Sequence, residues 1–209
     1  MENIPSEEEA YAALYRRLCT CKRLSYIDWK KFMDRTNMVQ FKMNDVFIKA
    51  GSLSTHSYFI IKGLVMCYEG QELKPEKIKW VRAEHDYAFT VDKFSFGEEK
   101  RMPNEYSLVA LEDTLAFSLS HEDYLWLKTH CKGFDLLYMV LIHAYSIKIK
   151  KISNCVLTND RDRYEWIQEV HGFKLERIPG VYLKHCIGVT EKRLKELQKN
   201  NRIDFLTRY

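Results

Sequence analysis

The sequence predicts an α+β protein in which a β-sandwich or barrel of about 80 residues, built from short strands, lies between helical segments. Three observations lead to this reading. Residues 46 to 120 are rich in Val, Ile, Phe and Tyr and are punctuated by Gly51, Gly63 and Gly70. On either side, apolar residues recur at three- and four-residue spacing among charges, the period of an amphipathic helix. Near the C-terminus, Gly188 joins two further helical segments.

Taken in order, the first 35 residues read as helix, because Ala10, Ala12, Ala13, Leu14 and Leu18, then Ile27, Trp29, Phe32 and Met33, keep that spacing. From Val46 the texture changes. VFIKAGSLSTHSYFIIKGLVMCYEG combines β-branched and aromatic residues with turn glycines and reads as short strands. KIKWVRAEHDYAFTV and YSLVALEDTLAFSLS continue the pattern, with Ile78 and Trp80, then Tyr106, Leu108 and Ala110, alternating against polar neighbours. HEDYLWLKTH returns to helical spacing, and a long helix is predicted from Gly133 to Asn154. Leu137, Leu141, Ala144 and Lys148 form one stripe on it, with Leu136, Val140, His143 and Ile147 beside them. Apolar coverage that wide needs a partner besides the strands: either a single-chain core or, as taken here, a second copy of the same helix. After TNDRDR a third texture begins with RYEWIQEVHGF and closes on a short predicted strand, Ile203 to Leu206.

Composition narrows the function. At 209 residues, with 46% hydrophobic and 30% charged residues, the chain holds one large domain or two small ones and can bury a core. Its longest mostly apolar stretch, Phe134 to Ile147, has 14 residues and carries Asp135 and His143, short of the roughly 20 that span a membrane. The acidic start MENIPSEEEAY lacks the basic head of an export signal. A cytoplasmic protein without membrane contact is expected. Cys19, Cys21, Cys67, Cys131, Cys155 and Cys186 are scattered with no CxxC pair, as reduced thiols are, so neither a metal nor a cofactor is expected. His56 and His85 stand alone, and no Gly-rich phosphate loop or Ser-His-Asp ordering is visible. No enzyme is expected.

Charge is unevenly divided. Residues 1 to 160 carry 22 Lys+Arg and 22 Asp+Glu, whereas residues 161 to 209 carry 11 and 7, so the whole excess lies in the last quarter. A basic segment on a neutral body suits a polyanion such as a phosphate backbone; a solvated basic face is the other reading. Within PGVYLKHCIGVTEKRLKELQ, a first helix starts near Pro179 and ends at Gly188, and Thr190 stands at the cap position of a second. Leu183, Ile187, Val189, Leu194 and Leu197 are spaced to bury apolar faces against each other, leaving Glu191, Lys192, Lys195, Glu196 and Lys199 outward. That outward face is what a helix-turn-helix lays in the DNA major groove.

The chain from about residue 25 to 209 resembles the Crp/Fnr family of bacterial transcription regulators. The resemblance rests on Gly51 followed by Tyr58-Phe59-Ile60-Ile61-Lys62-Gly63, on Leu111-Glu112-Asp113 with Ser120 and HEDYLWL, and on Arg163-Tyr164, Ile178-Pro179 and Ile187-Gly188-Val189-Thr190. It implies a double-stranded, jelly-roll-like β-roll, a long dimerisation helix and a C-terminal winged helix-turn-helix. The implied division is 1–130 for a cyclic-nucleotide-binding-like sensor with N-terminal helices, 131–157 for the dimerisation helix through Leu137, Leu141, Ala144 and Lys148, and 158–209 for the DNA-binding unit. The implied partners are double-stranded DNA, a second copy of the chain, RNA polymerase and an unidentified small-molecule effector. A two-fold dimer would read a palindrome with half-sites about 34 Å apart.

The chain departs from that family in two places. Nucleotide-binding members place Arg-Ser or Arg-Thr about six residues before the alanine that is Ala110 here, and this chain has Asn104 and Glu105 there. A carboxylate at the phosphate position repels the ligand, which argues against cyclic AMP. Phe96-Gly97-Glu98 resembles the family's ribose-binding tripeptide but lies too close to Asn104 and is read as a turn; with Arg101, Asn104 and Glu105 it marks where an effector pocket is expected. In the reading helix, Lys195-Glu196 replace the family's Ser-Arg, so Glu196 meets a cytosine amino group rather than guanine. Thr190, Glu191, Lys192, Lys195, Glu196, Lys199 and Arg202 are the expected DNA-facing residues, and Arg193 adds a cation.

Overall fold

A computed structural model describes residues 5–19, 23–53, 55–88, 103–139 and 159–206. Helix α1 (Glu7–Cys19) opens on a reciprocal cap: the Glu9 N–H donates to Ser6 Oγ at 3.2 Å and the Ser6 N–H donates to Glu9 Oε2 at 2.8 Å. The predicted single helical region is two helices. Ser25 caps α2 (Tyr26–Met33), its Oγ accepting from the Asp28 N–H at 3.1 Å, so the helical phase restarts there. Phe32 is buried, whereas Ile27, expected in the apolar stripe, is exposed.

Two four-stranded antiparallel sheets follow. The first runs β1 (Thr36–Phe41), β8 (Thr114–Ser120), β3 (His56–Lys62) and β6 (Tyr87–Ala88). The second runs β2 (Val46–Ile48), β7 (Tyr106–Ala110), β4 (Leu64–Glu69) and β5 (Ile78–Ala83). Between them the inward side chains Ile48, Tyr58, Ile60, Val65, Cys67, Trp80 and Leu108 fill the middle of the roll. The outward residues of β3, Phe59 and Ile61, pack instead on Leu14, Leu18 and Phe32 of the N-terminal helices. Outward residues Leu64, Met66, Val81 and Val109 of the second sheet pack on the C-terminal helices. Both sheets are therefore covered on both faces, which is why Tyr58 to Ile61 and Leu64 to Tyr68 are unbroken apolar runs.

The chain passes from one sheet to the other at Gly63, with φ +116°. A Cβ there would lie 2.4 Å from Thr114 Oγ1 and 2.7 Å from Thr114 Cα, so the corner admits no side chain. Ser120 caps α3 (His121–His130), accepting from the Asp123 N–H at 3.0 Å. Of the long helix predicted from Gly133, residues 134–139 are described and are helical; Leu141, Ala144 and Lys148 lie outside the described residues.

The C-terminal part consists of α4 (Asp160–His171), a 3-10 turn (Gly172–Arg177), α5 (Gly180–Ile187) and α6 (Glu191–Leu206). One expectation is corrected here. Residues 203–206, predicted as a strand, are the last turn of α6. No glycine or proline stands between Gly188 and Leu206, so nothing interrupts propagation once Thr190 has started the helix, and four alternating residues are too few to compete. Among the described residues no helix is long and apolar enough to cross a membrane.

Candidate functional site

The site is the outward face of α6, and its geometry follows from how α5 ends. Gly188 adopts the left-handed conformation, φ +76°, and its N–H donates to Lys184 O at 2.8 Å; the Val189 N–H donates to the same carbonyl at 2.9 Å. This closes α5 and redirects the chain. Thr190 Oγ1 accepts from the Arg193 N–H at 3.3 Å, so the hydroxyl caps α6 as its position in the sequence suggests. Leu183, Ile187, Leu194 and Leu197 are buried and Val189 is partly buried against them. Thr190, Glu191, Lys192, Lys195, Glu196 and Lys199 are exposed, while the side chain of Arg202 lies outside what the structure describes.

Electrostatics divides these residues. Lys195 Nζ sits 3.0 Å from Glu191 Oε1, one turn away, which lowers the Glu191 pKa through the hydrogen bond first and the charge second. Glu196 Oε2 accepts from Arg193 Nη1 at 3.1 Å. Arg193, expected to add a cation, is held by Asp160 and so is turned to α4. Among the described residues Lys192 and Lys199 have no ion-pair partner. At the exposed surface such pairs are loose and salt-screened, and Lys195 is free to exchange Glu191 for a phosphate at little cost.

Of the residues expected around an effector pocket, Asn104 and Glu105 are described. Phe96, Gly97, Glu98 and Arg101 lie outside the described residues. Asn104 is buried at the start of β7 and braces the β2–β3 connection: its carbonyl accepts from the Gly51 N–H at 2.8 Å and its N–H donates to Ser52 O at 2.8 Å. Glu105 is exposed, with its carbonyl accepting from the Gly70 N–H at 2.8 Å. Just ahead of β7, therefore, Asn104 is the buried member of the pair and Glu105 the exposed one. One inward cation escaped the sequence reading. Arg82, paired across β4–β5 with the inward Val65, is fully buried and meets Asp86 Oδ2 at 3.1 Å. Its alternation with Val81 in β5 was the available signal.

Leu137, expected at a dimer interface, is 1% exposed and lies in its own chain's cluster with Phe134 and Tyr138. A side chain already withdrawn from water adds no area on pairing; the outward positions of that turn are Leu136 and Met139. Beneath it, a cavity of about 40 Å³ is lined by Leu14, Leu18, Phe32, Phe117 and Leu137 among others.

No family model and no curated sequence matches the chain. Solved structures do. The sensor domain of the transcriptional regulator DNR from Pseudomonas aeruginosa is 20% identical with TM-score 0.50, over 66% of this chain and 91% of that one. FixK2 from Bradyrhizobium japonicum is 12% identical with TM-score 0.61, over 81% of this chain and 85% of that one. A regulatory subunit of a cAMP-independent protein kinase A from Trypanosoma brucei, bound to cAMP, is 16% identical with TM-score 0.54, over 72% of this chain and 51% of that one. The fold they share with this chain is an α+β one built on a cyclic-nucleotide-binding-type β-roll. At 81% of 209 residues, the FixK2 match exceeds what residues 1–158 contain, so it extends beyond the roll into the C-terminal helices.

Proposed function

We propose that this chain is a one-component, DNA-binding transcription regulator of Crp/Fnr type, a homodimer that reads a palindromic site and does not respond to cyclic AMP. The observation that carries the reading is the exposed row Lys192, Lys195 and Lys199 on a helix whose opposite face, Leu194 and Leu197, is buried and whose start is fixed by the Gly188 turn and the Thr190 cap. Placed in a major groove, Glu196 accepts from a base amino group and Lys192 and Lys195 face the groove, while Lys199 and Arg202 meet phosphates. Dimerisation through the helix that begins at 134 gives two such faces. The division at 130 and 157, a sensing role for the roll and contact with RNA polymerase belong to the same reading. So does the absence of an enzymatic activity. Asn104 and Glu105, where nucleotide-binding members of that family carry Arg-Ser or Arg-Thr, support indifference to cyclic AMP.

A second reading is favoured by the pairing of Arg193 and Lys195 with carboxylates and by the helical form of residues 203–206 where a short strand was expected. In it the chain is a dimeric small-molecule-binding or interaction module that has lost DNA binding. Retention of random duplex DNA as a function of salt separates the two. A regulator loses affinity steeply as salt rises, and Lys192→Glu with Lys195→Glu abolishes retention while the dimer persists. Retention that is absent at low salt, or unchanged in the double variant, removes the regulator reading.

A further inference from the structure

Arg177 closes the 3-10 turn before α5 and reaches back to the roll. Its Nη2 lies 2.8 Å from Glu84 Oε1, and its Nε lies 3.1 Å from Glu112 Oε2 while Nη2 meets the other oxygen of the same carboxylate. The two acids come from separate turns: Glu84 follows β5, and Glu112 lies between β7 and β8. Glu84 Oε1 also accepts from the Gly63 N–H at 3.0 Å, so the corner between β3 and β4 joins the same network. One guanidinium thus gathers three turns at one end of the roll. Its side chain is 34% exposed and that of Glu84 15%, so the Glu84 contact is largely withdrawn from solvent. Burial works against the charge of Arg177, and the hydrogen bonds with Glu112 and Glu84 outweigh it, raising its pKa.

This contact differs in kind from the apolar cluster beside it. Leu64, Met66 and Val81 of the second sheet meet Leu183, Ile187 and Leu194 of the helices through dispersion and burial, which set closeness but little direction. A planar fork facing two carboxylates fixes direction.

We propose that Arg177 is a positioning residue, the fastening through which the turn end of the roll sets the placement of α5 and α6. A displacement of Glu84 or Glu112 is thereby passed to the outward face of α6. The fastening stands whether or not that face touches DNA, so its test uses none.

Amide hydrogen exchange on the full chain provides that test. Arg177→Met accelerates exchange about tenfold in peptides covering 178–197 and leaves β3 and β8 at their wild-type rates. The reversed pair, Arg177→Glu with Glu112→Arg, brings the α5–α6 rates part of the way back. Should Arg177→Met fail to fold, Glu112→Gln, which keeps the side chain's size and loses its charge, shows the same local acceleration at smaller size. Exchange unchanged everywhere, or raised equally in sheets and helices, overturns the proposal, the second because it marks a general loss of stability.

Discussion

Arg193 and Asp160 face each other across the junction of α6 and α4, with Nε 2.6 Å from Oδ2 and Nη2 3.1 Å from Oδ1. Two parallel bonds set both the spacing and the plane of the pair. The consequence is that Arg193 orients α6 against α4, and Glu196, bonded to the same guanidinium, is held in place with it.

This pair makes stability depend on pH in a defined sense. The hydrogen bond from Arg193 holds the Asp160 carboxyl below its ordinary pKa. A depressed carboxylate stabilises the fold above its unfolded pKa, about 3.9, and stops doing so as pH falls through the lower folded value. Urea midpoints of wild type and Asp160→Asn therefore differ at neutral pH and converge in acid. A gap that stays constant across that range rules out the carboxylate as its source.

Gly63→Ala is expected to be among the costly single changes in the roll. The new methyl meets the Thr114 backbone as well as its hydroxyl, and the positive φ is strained for alanine besides. The loss is about 3 kcal/mol, measured by equilibrium denaturation. A change below 1 kcal/mol (about a third of that) would mean that the corner relaxes freely.

Leu183→Ala and Met66→Ala test whether the C-terminal helices share a core with the roll. Both side chains are fully buried in one cluster, and each truncation costs about 2 to 5 kcal/mol. Far-ultraviolet dichroism and tryptophan fluorescence should shift together in either variant. Two separated transitions would show that the helices unfold on their own.

The proposed dimer predicts that Leu136→Asp with Met139→Asp yields monomers in sedimentation, since these side chains are exposed on the described turn of the long helix. Persistence of the dimer moves the interface elsewhere.

Much of the candidate site was legible locally. Gly188 as a helix stop, Thr190 as a cap and the alternation of Leu194 and Leu197 with charged neighbours are short-range signals, because capping and helical period act within one or two turns. Arg193 shows the limit: its spacing places it near the outward residues, and only the arrival of Asp160, 33 positions earlier, decides where its charge goes. Residues 203–206 were misread because strand alternation over four positions is weak against an uninterrupted helix.

The amino-acid sequence by itself determined the strand-rich middle with its turn glycines, the Gly188 stop and the Thr190 cap, and it carries the apolar runs Tyr58 to Ile61 and Leu64 to Tyr68. It did not determine what covers those runs. Tertiary structure alone decided that α1 and α2 lie on one sheet and α4 to α6 on the other, and that Arg177 finds Glu112, 65 residues away. The physical reason is that apolar burial is non-directional: a periodic stripe states that a face must leave water, while the partner it meets is selected by the packing of the whole chain.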